Sequence, residues 1–425
     1  MPKYTIISLG CSKNLVDSER FSYIIDQTDF QMTSKPEEAD VIIINTCGFI
    51  LDAKEESLDV ILEALELKKK YKNKKVIVTG CLIERYKTEI QRSIPEIDEI
   101  VDLKDFDHFA NIFNIQKSNE RKLLTPAHYA YLRISDGCNN NCSYCVIPQI
   151  RGKLKSVPIP QLVKEARKLA EIGVKELIIT AQDTAAYGMD LYTENKISQL
   201  LEKLHEIDKI QWIRILYLHP AHISEDIINT ISKLPKICKY FEIPIQHINN
   251  EILESMNRKV SKVDISSIVS KIRSKIPEAV IRTTLITGYP SETEKKFQEL
   301  KQFISNIKFE RLGVFPYSPE EGSKSVTLPD QVPKETAERR QGTLLNIQQE
   351  ISSEFLASMI GKKIKVIIDR YSKHDSYKYE ARSYFDAPDI DGLVFISSGE
   401  VAIGDIVTVE IIDSMEFNLI GELET

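Results

Sequence analysis

Ile134-Ser135-Asp136-Gly137-Cys138-Asn139-Asn140-Asn141-Cys142-Ser143-Tyr144-Cys145 follows an apolar run that ends at Ser135, and its reading decides the rest of the chain. Three cysteines spaced C-x3-C-x2-C share one loop, and the next, Cys238, is far away in sequence. Soft thiolates at this density select an iron–sulfur cluster or zinc. A structural zinc site closes on four ligands, usually from two paired C-x2-C or C/H elements, and no second pair accompanies this loop. Electron-carrying ferredoxins also give four thiolates to a cubane cluster. Three thiolates therefore leave one iron with an exchangeable position. Asp136, Asn139, Asn140 and Asn141 make the loop too polar for cysteines clustered only as small core hydrophobes.

Outward from the loop, strand-like and helical runs alternate from Tyr131 to Phe315. The expected strands are 131–135, 176–180, 212–217, 241–245, 280–286 and 311–315, separated by helical patterns such as Gln161 to Glu171 and Glu225 to Leu234. Six βα units predict a partial (β/α)6 barrel of the TIM type, with its site at the carboxyl-end loops. Lys334 to Met359 reads as one long helix leading out of it. Gln182 and Asp183, after the second strand, are candidates for holding a cofactor amino group, although Asp183 also suits a helix N-cap. Gly288, in Thr287-Gly288-Tyr289-Pro290, is a candidate for close approach of a cofactor base, with a plain turn as the competing reading. His219, His222 and His247 fall at strand ends and read as structural, and Cys238 reads as buried and inert.

Toward the amino end, three β-branched runs each stop at a small or polar residue followed by cysteine. They are Tyr4 to Gly10 before Cys11, Val41 to Thr46 before Cys47, and Lys75 to Gly80 before Cys81. Helical stretches, Val16 to Asp26 and Ala53 to Lys70, lie between them, so the pattern predicts a parallel sheet. Any one cysteine alone would read as a buried thiol at a strand end. Three at equivalent positions converge at the edge where open α/β sheets build ligand sites, and Gly10, Gly48 and Gly80 permit close backbone approach. That arrangement suits a second cluster with three protein thiolates. The polar connector Gln116 to Arg121 ends this unit, and the run Lys68 to Lys75 reads as a solvated helix end.

From Lys362 onward short alternating runs and turn signals suit a small five-stranded antiparallel β-barrel resembling an OB fold. From Ser358 to Thr425 five Lys and two Arg oppose seven Asp and six Glu, a net −6 that accounts for nearly all of the chain's −7. Such a module repels phosphate backbones and attracts basic proteins, with Asp386, Asp389 and Asp391 as the expected contacts. A chain of 425 residues with 42% hydrophobic and 28% charged residues predicts two or three ordinary globular domains. It contains neither a signal-peptide pattern nor a membrane-length apolar run, so a cytoplasmic location and reduced cysteines are expected.

The C-x3-C-x2-C loop with an aromatic residue, Tyr144, before its last cysteine resembles the radical S-adenosylmethionine superfamily. In that superfamily the cofactor chelates the open iron, and its reductive cleavage yields methionine and a 5′-deoxyadenosyl radical that removes hydrogen from unactivated C–H bonds. Cys11, Cys47 and Cys81, then Cys138, Cys142 and Cys145, then a small terminal barrel, resemble the methylthiotransferase family over essentially the whole chain. The resemblance implies a flavodoxin-like domain over 1–125 with a second [4Fe-4S] cluster on Cys11, Cys47 and Cys81. It further implies a radical domain over 126–357 with the first [4Fe-4S] cluster, and a TRAM substrate-recognition domain over 358–425. Tyr144, Gln182, Asp183 and Gly288 become candidates for contacting S-adenosylmethionine, which serves as both radical source and methyl donor. Leu9 to Glu19, Cys145 to Lys153 and Tyr384 to Gly392 resemble the RimO branch, whose substrate is the β-carbon of an aspartate in the basic ribosomal protein S-twelve. The alternatives are a tRNA adenosine methylthiotransferase of the MiaB type, which the acidic terminal barrel disfavours, and a non-catalytic iron–sulfur or zinc scaffold.

Overall fold

Five parallel strands, Lys3–Ser8, Gln31–Met32, Val41–Thr46, Lys75–Gly80 and Glu99–Ile100, form the first sheet in the spatial order 2-1-3-4-5. This computed structural model describes every residue except Lys72, Lys117, Asn119 and Thr425, so parts of the Lys68–Lys75 run and of the Gln116–Arg121 connector lie outside the described residues. The order is that of flavodoxin-like doubly wound sheets, whose ligands bind beyond the carboxyl edge where the strand order reverses. Cys11 and Cys47 follow the two strands flanking that reversal, and Cys81 follows the next. Val41–Thr46 is buried along its whole length, which explains its unbroken apolar run. Lys74 is not a solvated helix end: it is buried, and its ammonium caps the carbonyls of Glu37 (2.7 Å) and Ala39.

Six parallel strands form the second unit: Tyr129–Arg133, Glu176–Thr180, Trp212–Ile215, Tyr240–Glu242, Val280–Thr287 and Arg311–Pro316. They make two three-stranded sheets, and the third strand bridges through Ile213 to Ile237, just ahead of the fourth. Leu132, Ile179, Ile215, Phe241, Leu285 and Val314 bring all six strands into one apolar core. The amphipathic helices Ile159–Glu171, Ile197–His205 and Glu225–Lys233 bury their apolar stripes against it. Helix Lys334–Ala357 crosses the last strand and leads to the terminal barrel.

The last unit closes from Lys363–Tyr371, Tyr379–Ser383, Val394–Ile396, Ile406–Ser414 and Leu419–Leu423. The sequence pattern expects antiparallel pairing throughout; the structure has it at four seams, with Val394–Ile396 and Leu419–Leu423 parallel. An odd number of strands cannot alternate direction around a closed ring, so one neighbouring pair must run the same way. The acidity of this unit is partly spent on docking. Asp386 accepts from Arg311 at 2.6 Å, Asp391 accepts from the Tyr240 hydroxyl at 2.7 Å, and Asp405 pairs with Lys175 at 2.9 Å. Of the three acids expected to meet a basic partner, Asp386 and Asp391 instead clasp the preceding barrel, and only Asp389 is exposed.

Deepest in this interface, Glu176 accepts from Arg214 and forms an ion pair with Arg382, each at 2.8 Å, and none of the three is more than 1% exposed. Removing the carboxylate leaves the buried Arg214 guanidinium with no acid, while Arg382 keeps only Asp369. Glu176→Gln is therefore expected to cost about 3–5 kcal/mol, read as a fall in the denaturant midpoint, whereas an exposed pair would shift it little.

Candidate active site

Cys138, Cys142 and Cys145 occupy the loop beyond the first strand of the second unit. The Asn140 amide donates to Cys138 Sγ at 3.4 Å, and Arg258 donates to Cys142 Sγ at 3.5 Å and to the Tyr144 hydroxyl at 3.2 Å. Burial pushes the Cys138 thiol up to about 11 and that of Cys145 up to about 12, so a metal must displace their protons. Among the described residues only Asp183, His219 and His222 gather three ligand atoms within 4.8 Å of one another; neither cysteine triad does. Three thiolates from one loop suit a multi-iron cluster, whose thiolates sit on different metal atoms.

Two of the expected cofactor residues meet this loop. Gln182 donates to Asp136 at 3.0 Å, and Asp183 accepts from Asn140 at 2.7 Å and pairs with His222 at 2.6 Å. Gln182 Oε1, Asp183 Oδ1 and Gln246 Oε1 are buried without a hydrogen-bond partner. Unpaired buried acceptors are costly, and a cationic amino group is the kind of ligand they fit. Tyr144 packs against Ile252, Met256 and Tyr289, with its hydroxyl turned to Arg258. His247 is fully buried and accepts from the Asn249 amide at 3.0 Å, as a structural group should. His222, expected to be structural, instead joins Asp183 at the site. Cys238 is buried, and its thiol is raised by burial to about 11.

Gly288 has a packing role. A side chain there would place its Cβ 2.2 Å from that of Ala337, and the backbone is left-handed at φ 75°. The glycine admits helix Lys334–Ala357 against the strand end, with Ala337 filling the space that a Cβ would take. Gly288→Ala is expected to lower the stability of the unloaded protein by about 1–3 kcal/mol in a melt, and an unchanged midpoint would return the glycine to a binding role.

The second triad lies against the first. Gly10 has no room for a side chain because Cys47 Sγ would lie 2.8 Å away, and Ser57 fixes the Cys47 backbone by donating to its carbonyl at 2.9 Å. Cys81 packs with Val146 and Ile150, immediately downstream of Cys145. Arg151 joins the two edges: it donates to Cys81 Sγ at 3.7 Å and to Asn14 at 2.6 Å, and it pairs with Asp17 and Asp136 at 3.2 Å each. Arg133 holds Asp17 from the barrel side at 2.6 Å, and Ser12 meets Thr180 at 3.1 Å. Burial raises the Cys81 thiol to about 12; it opposes ionisation of Cys11 too, but Lys13 and Arg151 bring that thiol below its ordinary value. Sequence reasoning missed Asn14, Asp17, Arg151, Gln246 and Arg258. Two of these, Asn14 and Asp17, sit in the turn and helix just after Cys11, where a polar cluster on an otherwise buried face is a readable signal.

An open three-thiolate loop at the carboxyl mouth of a parallel partial barrel defines a radical S-adenosylmethionine enzyme. Family models agree: Uncharacterized protein family UPF0004 matches residues 3–102, the Radical SAM superfamily matches 132–304, and the TRAM domain matches 360–423. Solved structures show the same fold, among them the radical methyltransferase TsrM from Kitasatospora setae. Its TM-score is 0.55 at 11% identity, over 73% of this chain and 72% of that one. Ribosomal protein uS12 methylthiotransferase RimO of Caldicellulosiruptor saccharolyticus is 45% identical over 100% of both chains. The protein of that name from Aquifex aeolicus is 43% identical over 99% of this chain and 96% of its own. The chain belongs to the RimO family of methylthiotransferases.

Proposed function

We propose that this enzyme replaces a hydrogen on the β-carbon of an aspartate in ribosomal protein uS12 with a methylthio group. The observation that carries the reading is the meeting of two cysteine triads at one interface, bridged by Arg151, in a chain 45% identical to a named uS12 methylthiotransferase. Cys138, Cys142 and Cys145 would hold the [4Fe-4S] cluster that binds S-adenosylmethionine, and Cys11, Cys47 and Cys81 a second [4Fe-4S] cluster. When bound, these groups supply hydrogen-atom removal from carbon, a sulfur atom and a methyl group.

The chain's own residues position and shield that chemistry. Gln182 and Asp183 present buried acceptors to the cofactor's amino group, and Arg258 fixes Tyr144 beside Cys142. Asp17, between Arg133 and Arg151, locks the two cysteine-bearing edges together in a solvent-poor seam. No helix among the described residues is long and apolar enough to cross a membrane.

Mass spectrometry of uS12 and of tRNA from cells with and without this gene tests the proposal. uS12 is expected to be heavier by about 46 Da when the gene is present, the mass of a methylthio group replacing hydrogen. An unchanged uS12 beside a lost tRNA modification would transfer the enzyme to nucleic acid.

A further inference from the structure

Lys13 brings a positive charge into the seam between the triads. It lies two residues after Cys11, is 7% exposed, and its ammonium sits 3.6 Å from the centre of the Tyr217 ring. Tyr217 follows the third barrel strand, so the cation spans from the edge of the first sheet to the mouth of the barrel. Other buried cations at the interface are committed: Arg133 and Arg151 to Asp17, and Arg258 to the Pro244 carbonyl, Tyr144 and Cys142. Lys13 makes no ion pair within 4.0 Å among the described residues. Its acidic neighbours are the thiol of Cys11, two residues before it, and Glu242, which is occupied by Arg282 at 3.1 Å and by the Tyr217 amide at 3.2 Å.

A buried ammonium without a carboxylate is expensive, and a cation–π contact offsets only part of that cost. The tyrosine is itself held in a costly state. Tyr217 has a left-handed backbone at φ 60°, pinned by its own amide to Glu242 and by the Thr184 amide donating to its carbonyl at 3.0 Å. Strain of this kind persists where the surroundings over-determine it, and it concentrates at functional sites. Two independent costs thus converge on one point between the triads.

We infer that Lys13 is the specificity-determining cation of the substrate site, poised on Tyr217 to pair with the side-chain carboxylate of the aspartate whose β-carbon is modified. This rests on the proposed function. A carboxylate adjacent to the reacting carbon supplies the carboxylate partner that Lys13 lacks, and it fixes the β-carbon relative to both triads. A neutral side chain or a nucleobase leaves the ammonium buried and unpaired, and so is rejected.

Holoenzyme carrying S-adenosylmethionine, kept without reductant so that nothing reacts, is titrated with uS12 and with uS12 bearing asparagine at the modified position. Wild-type enzyme is expected to prefer the aspartate form by about tenfold to a hundredfold, the worth of one charge-assisted contact. Lys13→Met should bring the ratio near one, and Lys13→Arg should keep most of it, with iron content reporting that each variant is loaded. A wild-type ratio near one, or a loaded Lys13→Met protein that keeps the wild-type ratio, would overturn the inference. Failure of wild-type enzyme to add mass to uS12 under reducing conditions would sink the functional reading instead, and the two readouts are separate.

Discussion

Cys142→Ala is expected to eliminate formation of 5′-deoxyadenosine and of methylthiolated product alike, with about half of the protein's iron lost. A four-iron cluster held by three thiolates has no spare ligand, and the two that remain, Cys138 and Cys145, do not retain it. Cys142 is also the thiolate that Arg258 addresses at 3.5 Å, so its removal frees a buried guanidinium beside Tyr144. Reconstituted variant protein analysed for iron, sulfide and deoxyadenosine checks the prediction. Wild-type levels of cofactor cleavage would mean that the radical centre lies elsewhere.

Cys47→Ala should separate the two halves of the chemistry. The variant is expected to continue forming 5′-deoxyadenosine at the first triad while yielding no methylthio product, a loss of at least about a hundredfold in product formation by the arithmetic of a required group. Cys47 sits opposite Gly10 in a space that admits no other side chain, so alanine removes the sulfur without crowding the crevice. Product mass and deoxyadenosine, measured in the same reaction, distinguish this outcome from general inactivation. Normal methylthiolation would remove Cys47 from sulfur insertion.

Much of this enzyme was legible before its fold was known, for physical reasons that also mark where the reading stops. Cluster ligands declare themselves locally: Cys138, Cys142 and Cys145 share one loop, and Cys11, Cys47 and Cys81 each end a β-branched run, so strand periodicity alone aligns them. Their electrostatic partners do not. Arg258 reaches Cys142 across 116 residues, a contact that needs the barrel closed, and Arg151 reaches Cys81 across 70, a contact that exists only once the barrel and the first sheet have met. The packing role of Gly288 was not legible because a glycine at a strand end looks alike whatever lies against it; the position of Ala337 shows that a helix does.

The terminal barrel shows the limit of counting charges. Its net −6 is real, yet Asp386, Asp391 and Asp405 face Arg311, Arg282 and Lys175 of the preceding unit, and the deepest contact is the fully buried Glu176 between Arg214 and Arg382. Sequence gives the sign of a charge but not the direction in which it points. Reversing Asp386 or Asp391 would therefore loosen the barrel's seat and would not report on a partner, whereas Asp389 is free to do so.

The most direct test of the radical centre is spectroscopic. Oxygen-free protein should bind about eight irons in two four-iron clusters, and adding S-adenosylmethionine should alter the electron paramagnetic resonance of one reduced cluster through its open iron. Stoichiometric zinc, or a cluster spectrum indifferent to the cofactor because a fourth side chain already occupies that iron, would contradict the account.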